Sequence, residues 1–148
     1  MGPFFDTGVA LKLIVPGPLS GELLSFVKRR KVPVLVSRLI ELEMESALNA
    51  MAFRVHITTA QLAKAKNLLK ELTKEGKFLP VGLSLDEIAA ESLRLSPSIT
   101  VKTGCRTLDL MHIAAARLLG CKEFVSTDRR QLTAAKLAGL KPLDLSKH

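Results

Sequence analysis

The chain has 148 residues, 47% of them hydrophobic, and a formal net charge of +8 at pH 7. That is too apolar for a disordered chain, and no apolar run approaches the roughly 18 residues of a membrane helix. The charge favours a polyanionic partner, while the absence of Trp and Tyr argues against recognition by base stacking and leaves Lys and Arg to contact phosphates.

In chain order, short apolar runs alternate with helical patterns. Residues 3–5 read as a strand, 9–14 as a short helix stopped by Pro16-Gly17-Pro18, and 20–30 as a helix capped by Ser20. The β-branched run 32–36 is a second strand, after which Ser37 caps a helix over 38–53. Thr58 with Gln61 forms a capping box for a helix ending near Gly76, and 78–81 is a strand. Ser84 with Glu87 forms a second capping box, for a helix expected to end at Pro97. A helix over 106–119 closes at Gly120, followed by a strand at 124–126, a helix at 129–138 closed by Gly139, and a last strand at 140–143.

Buried strands separated by helices predict one α/β domain, 1–148, with a parallel sheet covered by helices on both faces. Phe4, Phe5, Phe78 and Phe124 fall in the strands and so belong to the core. No basic leader precedes the apolar start, which Asp6 interrupts, and Cys105 and Cys121 have neither metal-ligand spacing nor a disulfide framework. A reducing, cytoplasmic setting away from membranes is the expectation. In such sheets ligands bind beyond the carboxyl ends of the strands, and there four acids stand out.

Asp6 ends the first strand, either as a helix cap or as a site residue. On the 38–53 helix, at ~100° per residue, Glu43 falls inside the arc of Leu39, Ile40, Met44, Ala47, Leu48, Ala50 and Met51. Glu41 lies at the edge of that arc and Glu45 outside it. A carboxylate on an apolar face costs several kcal/mol unless paired or metal-bound, so Glu43 needs a compensating group: a metal, or an Arg such as Arg106. Asp109 lies in the first turn of an almost wholly apolar helix, with His112 one turn on, a ligand or base by type but more in keeping with a structural hydrogen-bond partner. Asp128 follows the 124–126 strand, where it is either a site residue or a helix cap paired with Gln131. Together the four make an oxygen-donor set suited to Mg²⁺, with Thr7, Ser126 and Thr127 placed to hydrogen-bond to them.

Phe5-Asp6-Thr7, Glu43-Met44-Glu45-Ser46-Ala47-Leu48, the stretch from Arg106 to His112, and Phe124-Val125-Ser126-Thr127-Asp128-Arg129-Arg130 resemble, in order and spacing, the four acidic motifs of PIN domains. The resemblance extends to Leu143. It implies a three-layer α/β/α sandwich with a mostly parallel sheet, and Mg²⁺ or Mn²⁺ bound by a catalytic quartet of Asp6, Glu43, Asp109 and Asp128. It further implies cleavage of single-stranded RNA. A chain of this length is similar to VapC toxins, which implies a VapB-like antitoxin and a homodimer. In one respect it departs: such toxins place Ser or Asn two residues after the first Asp, where this chain has Gly8. Gly8 keeps open an RNA-binding module of the same fold without turnover. A phosphoacceptor receiver domain, which wants paired acids after its first strand, fits less well because Asp6 is single.

Overall fold

The computed structural model describes residues 2–147. Their elements, in chain order, are β1 (Phe4–Phe5), α1 (Thr7–Leu11), α2 (Ser20–Arg30), β2 (Val34–Val36), α3 (Arg38–Phe53), α4 (Thr59–Lys74) and β3 (Phe78–Pro80). The remainder are α5 (Leu85–Thr103), α6 (Thr107–Leu118), β4 (Glu123–Ser126), α7 (Arg129–Leu137), β5 (Lys141–Asp144) and a closing 3-10 turn, Leu145–Lys147.

All strand pairs are parallel. β4 lies between β1 and β5, β2 pairs with β3, and β2 packs beside β1. The result is the α/β architecture expected from the alternating pattern, a central parallel sheet with seven helices among the described residues. Phe4, Phe5, Phe78 and Phe124 are fully buried, as expected of strands covered on both faces. Ile40, Met44 and Leu48 bring one face of α3 onto this core, and the run Ile113-Ala114-Ala115-Ala116 lets α6 approach closely.

Two local expectations are corrected. The helix expected to stop at Pro97 continues to Thr103 and closes at Gly104, which adopts a left-handed φ of 63°. Proline removes one backbone bond to the residue four before it. That residue is Leu93, which is exposed, so water can take the freed carbonyl. Leu95 and Ile99 meanwhile hold both sides of the proline in the core, and packing overrides the breaker. Ser20 does not cap α2. Leu19 holds the cap position without a side-chain bond, and Ser20 Oγ instead donates to the Lys12 carbonyl at 2.7 Å and accepts from Gly17 N at 2.9 Å. The expected caps at Ser37, Thr58 and Ser84 are all present.

Candidate active site

The register of β1 on β4 assembles the first corner of the site. Phe4 lies opposite Phe124 and Phe5 opposite Val125, and the Asp6 N–H continues the ladder to the Val125 carbonyl at 3.1 Å. Asp6 and Ser126 therefore meet at the carboxyl ends of neighbouring strands. Ser126 Oγ donates to Asp6 Oδ2, while Asp6 Oδ1 accepts from Val9 N at 2.8 Å and so caps α1. One oxygen of this buried carboxylate thus serves the helix cap and the other is held by Ser126. Burial pushes the Asp6 carboxyl above its ordinary range. The Ser126 and Val9 bonds and the charge of His112 oppose that rise, and the negative charge of Asp109 adds to it.

Ser37 at the end of β2 starts α3, accepting from Ile40 N, and so aims Glu43 back across the same edge. Glu43 is half-buried, whereas Glu41 and Glu45 are exposed and ion-paired to Arg38 and Lys66 respectively, both at 3.1 Å. The helical arc therefore selected the inward-facing glutamate. Its partner is not Arg106, as the ion-pair alternative supposed, but His112. The buried imidazole bonds to Glu43 Oε1 through Nε2, and Thr7 Oγ1 donates to the same oxygen at 2.9 Å. Burial is the largest influence on Glu43 and raises its pKa, but the His112 bond and charge, with the Thr7 bond, outweigh it and hold the carboxyl below its ordinary value.

Arg106, the N-cap residue of α6, faces Asp109 in the first turn, with Nε 3.4 Å from Oδ2. Asp109 is close enough to Asp6 for its charge to act there. Asp128 caps α7, its Oδ1 accepting from Arg130 N at 2.9 Å and Gln131 N at 3.2 Å, while its own N–H donates to Ser126 Oγ at 3.0 Å. Asp6, Ser126 and Asp128 thus form one hydrogen-bonded chain, and Glu43 is bonded to Thr7, the residue that follows Asp6. Thr127 makes no side-chain hydrogen bond among the described residues.

The partners of two contributors escaped the sequence. Gln131 was expected to reach back to the Asp128 backbone in a capping pair. It is buried instead, its Oε1 lying 3.2 Å from Ser126 Oγ and its Nε2 3.4 Å from the Asp109 carbonyl, so it joins two motifs. His112 was legible as a hydrogen-bond partner, but not as the partner of Glu43, 69 residues away. The i, i+3 spacing from Asp109 was the one available signal.

Oxygen donors are hard ligands, suited to Mg²⁺ or Mn²⁺. Among the described residues no three His, Cys, Asp or Glu side chains close into a cage. Mg²⁺ demands none, since it keeps several waters and takes one or two carboxylates directly. Glu43 Oε2 and Asp128 Oδ2 accept no hydrogen bond among the described residues and are available for that purpose. The two cysteines are unsuited: both are free and buried, and burial pushes the Cys121 thiol up to about 11.

Residues 4–137 match the PIN domain family. The chain belongs to that family. PIN domains are generally nucleases, which accords with acids gathered at the carboxyl edge of a parallel sheet. Among solved structures this PIN domain is similar to FitAcB from Neisseria gonorrhoeae, at 15% identity and a TM-score of 0.65, covering 100% of both chains. It is also similar to VapBC2 from Rickettsia felis bound to a DNA fragment from their promoter, at 11% identity and a TM-score of 0.69, covering 97% of this chain and 98% of that one. Identities this low speak for the fold. No curated protein matches the sequence. No helix among the described residues is long and apolar enough to cross a membrane.

Proposed function

We propose that this PIN domain is an Mg²⁺- or Mn²⁺-dependent endoribonuclease that cleaves single-stranded RNA, and that it is a toxin restrained by a VapB-like antitoxin in the cytoplasm. The observation that carries the reading is that buried Asp6, at the carboxyl end of β1 where this fold class binds ligands, is followed by Thr7, which holds inward-facing Glu43, and feels the charge of Asp109. Asp6, Glu43, Asp109 and Asp128 are the residues that would hold the ion. When bound, a divalent ion supplies an activated water and offsets charge developing on a phosphodiester. The protein's own contribution is orientation. Ser126 fixes Asp6, Thr7 and His112 fix Glu43, and Gln131 ties α7 to α6.

Support for a partner comes from the surface. A groove of about 390 Å³ at the carboxyl ends of β2 and β3 is lined by the apolar Val36, Met44, Leu69 and Pro80, by Lys70 and Lys74, and by Thr73 and Glu41, the last paired to Arg38. An apolar lining with two lysines suits an acidic, amphipathic antitoxin segment. The structural likeness to VapBC2, named as a two-part assembly, points the same way. The homodimer implied by the VapC resemblance belongs to the same reading.

The test is cleavage of a labelled single-stranded RNA by the purified chain in Mg²⁺, in Mn²⁺ and in EDTA, beside double-stranded RNA and single-stranded DNA. Cleavage of the single-stranded RNA alone, abolished by EDTA, is expected; undiminished cleavage in EDTA would contradict the metal requirement. The other reading, an RNA-binding PIN module without turnover, rests on Gly8. RNA binding with no cleavage in either metal would favour it. Gly8 is not kept small by its surroundings, because a Cβ there would meet only Asp6 Oδ1, at 3.7 Å.

A further inference from the structure

We infer that His112 is a positioning residue for Glu43: it anchors one carboxylate oxygen so that the other is presented, singly and in a fixed direction, to the crevice. The inference rests on the metal-dependent reading above and extends it to a residue outside the acidic quartet.

Three observations carry it. First, the two bonds that Glu43 receives converge on a single atom, since Thr7 Oγ1 and His112 Nε2 both engage Oε1 and neither touches Oε2. Bonds shared between both oxygens would fix a carboxylate as well for structural purposes. Bonds confined to one leave the second with its lone pairs free. Second, the imidazole is buried and braced. His112 is 2% exposed, and its ring lies against Phe4 at 6.3 Å between centroids. It therefore cannot swing, and its reach sets where the Glu43 carboxylate stops. Third, the other ring nitrogen is unpartnered. His112 Nδ1 is the one buried side-chain nitrogen or oxygen among the described residues without a hydrogen-bond partner. A buried polar atom left unpaired costs roughly 1–3 kcal/mol. A histidine retained only for packing would be expected to satisfy both nitrogens. Here the ring forgoes a bond at Nδ1, while Nε2 bonds to Glu43 Oε1 and lies 3.4 Å from Thr7 Oγ1.

The chemical consequence concerns coordination. A carboxylate held by one oxygen binds a small octahedral cation through the other alone, the mode Mg²⁺ favours when it keeps its waters. A glutamate free to rotate could turn both oxygens to the ion and displace one of those waters. Groups behind a ligand commonly change metal affinity or activity by about 10–100-fold.

The test compares two replacements of similar size in the full chain. His112→Gln retains a side-chain N–H donor, and His112→Met removes it while filling the space. Mn²⁺ affinity is measured by calorimetry and apo stability by thermal melting. His112→Met is expected to weaken Mn²⁺ binding about 10-fold, and His112→Gln to stay within about 3-fold of wild type, with the two apo melting temperatures close together. Equal affinity in wild type and His112→Met would overturn the positioning role while leaving the metal reading intact. Equal losses in both variants would also overturn it, as the mark of a packing role. A wild-type chain that binds no Mn²⁺ would overturn the metal reading and this inference with it. Should His112→Met fail to fold, Thr7→Val deletes the second bond to the same oxygen on an isosteric side chain. It should weaken Mn²⁺ binding several-fold, and unchanged affinity there would contradict the one-oxygen anchor.

Discussion

The two oxygens of Asp128 are treated differently: Oδ1 accepts both N–H groups at the start of α7, and Oδ2 accepts neither. Asparagine caps a helix about as well as aspartate. Asp128→Asn should therefore leave the melting temperature in EDTA within about 1 °C of wild type. It should also shrink the stabilisation by Mg²⁺, which for the wild type is about 1.4 kcal/mol at ten times the dissociation constant, or roughly 3–6 °C. Melts of both proteins with EDTA and with Mg²⁺ measure this, and a Mg²⁺ shift of undiminished size would remove Asp128 from the site. At this scale the sequence was informative wherever a residue type conflicted with its surroundings. Glu43 on an apolar arc was such a conflict, and the structure points it inward. His112 and Gln131 offered none, because a lone histidine or a glutamine near a cap fits many environments. Their partners were set by tertiary contacts spanning 69 residues in one case and 22 in the other.

At the scale of elements, the start of α7 carries Arg129 and Arg130 in its first turn, where the capping Asp128 is the one acid beside them and the turn itself holds none. Cations at a helix N-terminus oppose the macrodipole by about 0.3–1 kcal/mol each. Neither side chain has an ion-pair partner among the described residues, unlike Arg38 and Arg106 at the starts of their helices. Under the proposed function, this placement would suit contact with RNA phosphates next to Asp128. Replacing both with Gln should raise KM for RNA several-fold and lower the slope of log K against log salt by about 0.7 per residue, without lowering the melting temperature. Retention of the wild-type salt slope would contradict phosphate contact. Elements were the most legible level of the fold. Capping boxes and closing glycines are local chemistry, and they marked α4, α5, α6 and α7. Pro97 and Ser20 misled because their outcome depended on contacts from elsewhere: the core holding Leu95 and Ile99, and the Lys12 carbonyl.

Across the whole molecule, Arg30 at the end of α2 clamps Glu123 at the start of β4 through two bonds, at 2.7 and 3.0 Å. The Arg30 bond, with the charges of Arg30 and Lys141 and against a smaller effect of burial, holds the Glu123 carboxyl below its ordinary value. A carboxyl lowered by folding makes the unfolded chain bind more protons, so stability rises with pH through that window. Its contribution is complete above the unfolded value, about 4.3, and is lost as pH falls through the lower folded one. Glu123→Gln should accordingly flatten the acid limb of a stability–pH curve below about pH 4.3, and an unaltered limb would contradict the clamp.

The central claim is that one edge of this sheet, and not the charge of the molecule as a whole, performs metal-dependent cleavage. The most direct measurement is RNA cleavage in Mg²⁺ by Glu43→Gln beside Glu41→Gln and Glu45→Gln, three substitutions that each remove one negative charge from the same helix. Glu43→Gln should lose at least about 100-fold in rate, some 2.7 kcal/mol of barrier, with the other two within about 2-fold of wild type. Comparable losses from all three, or full activity in Glu43→Gln, would contradict it.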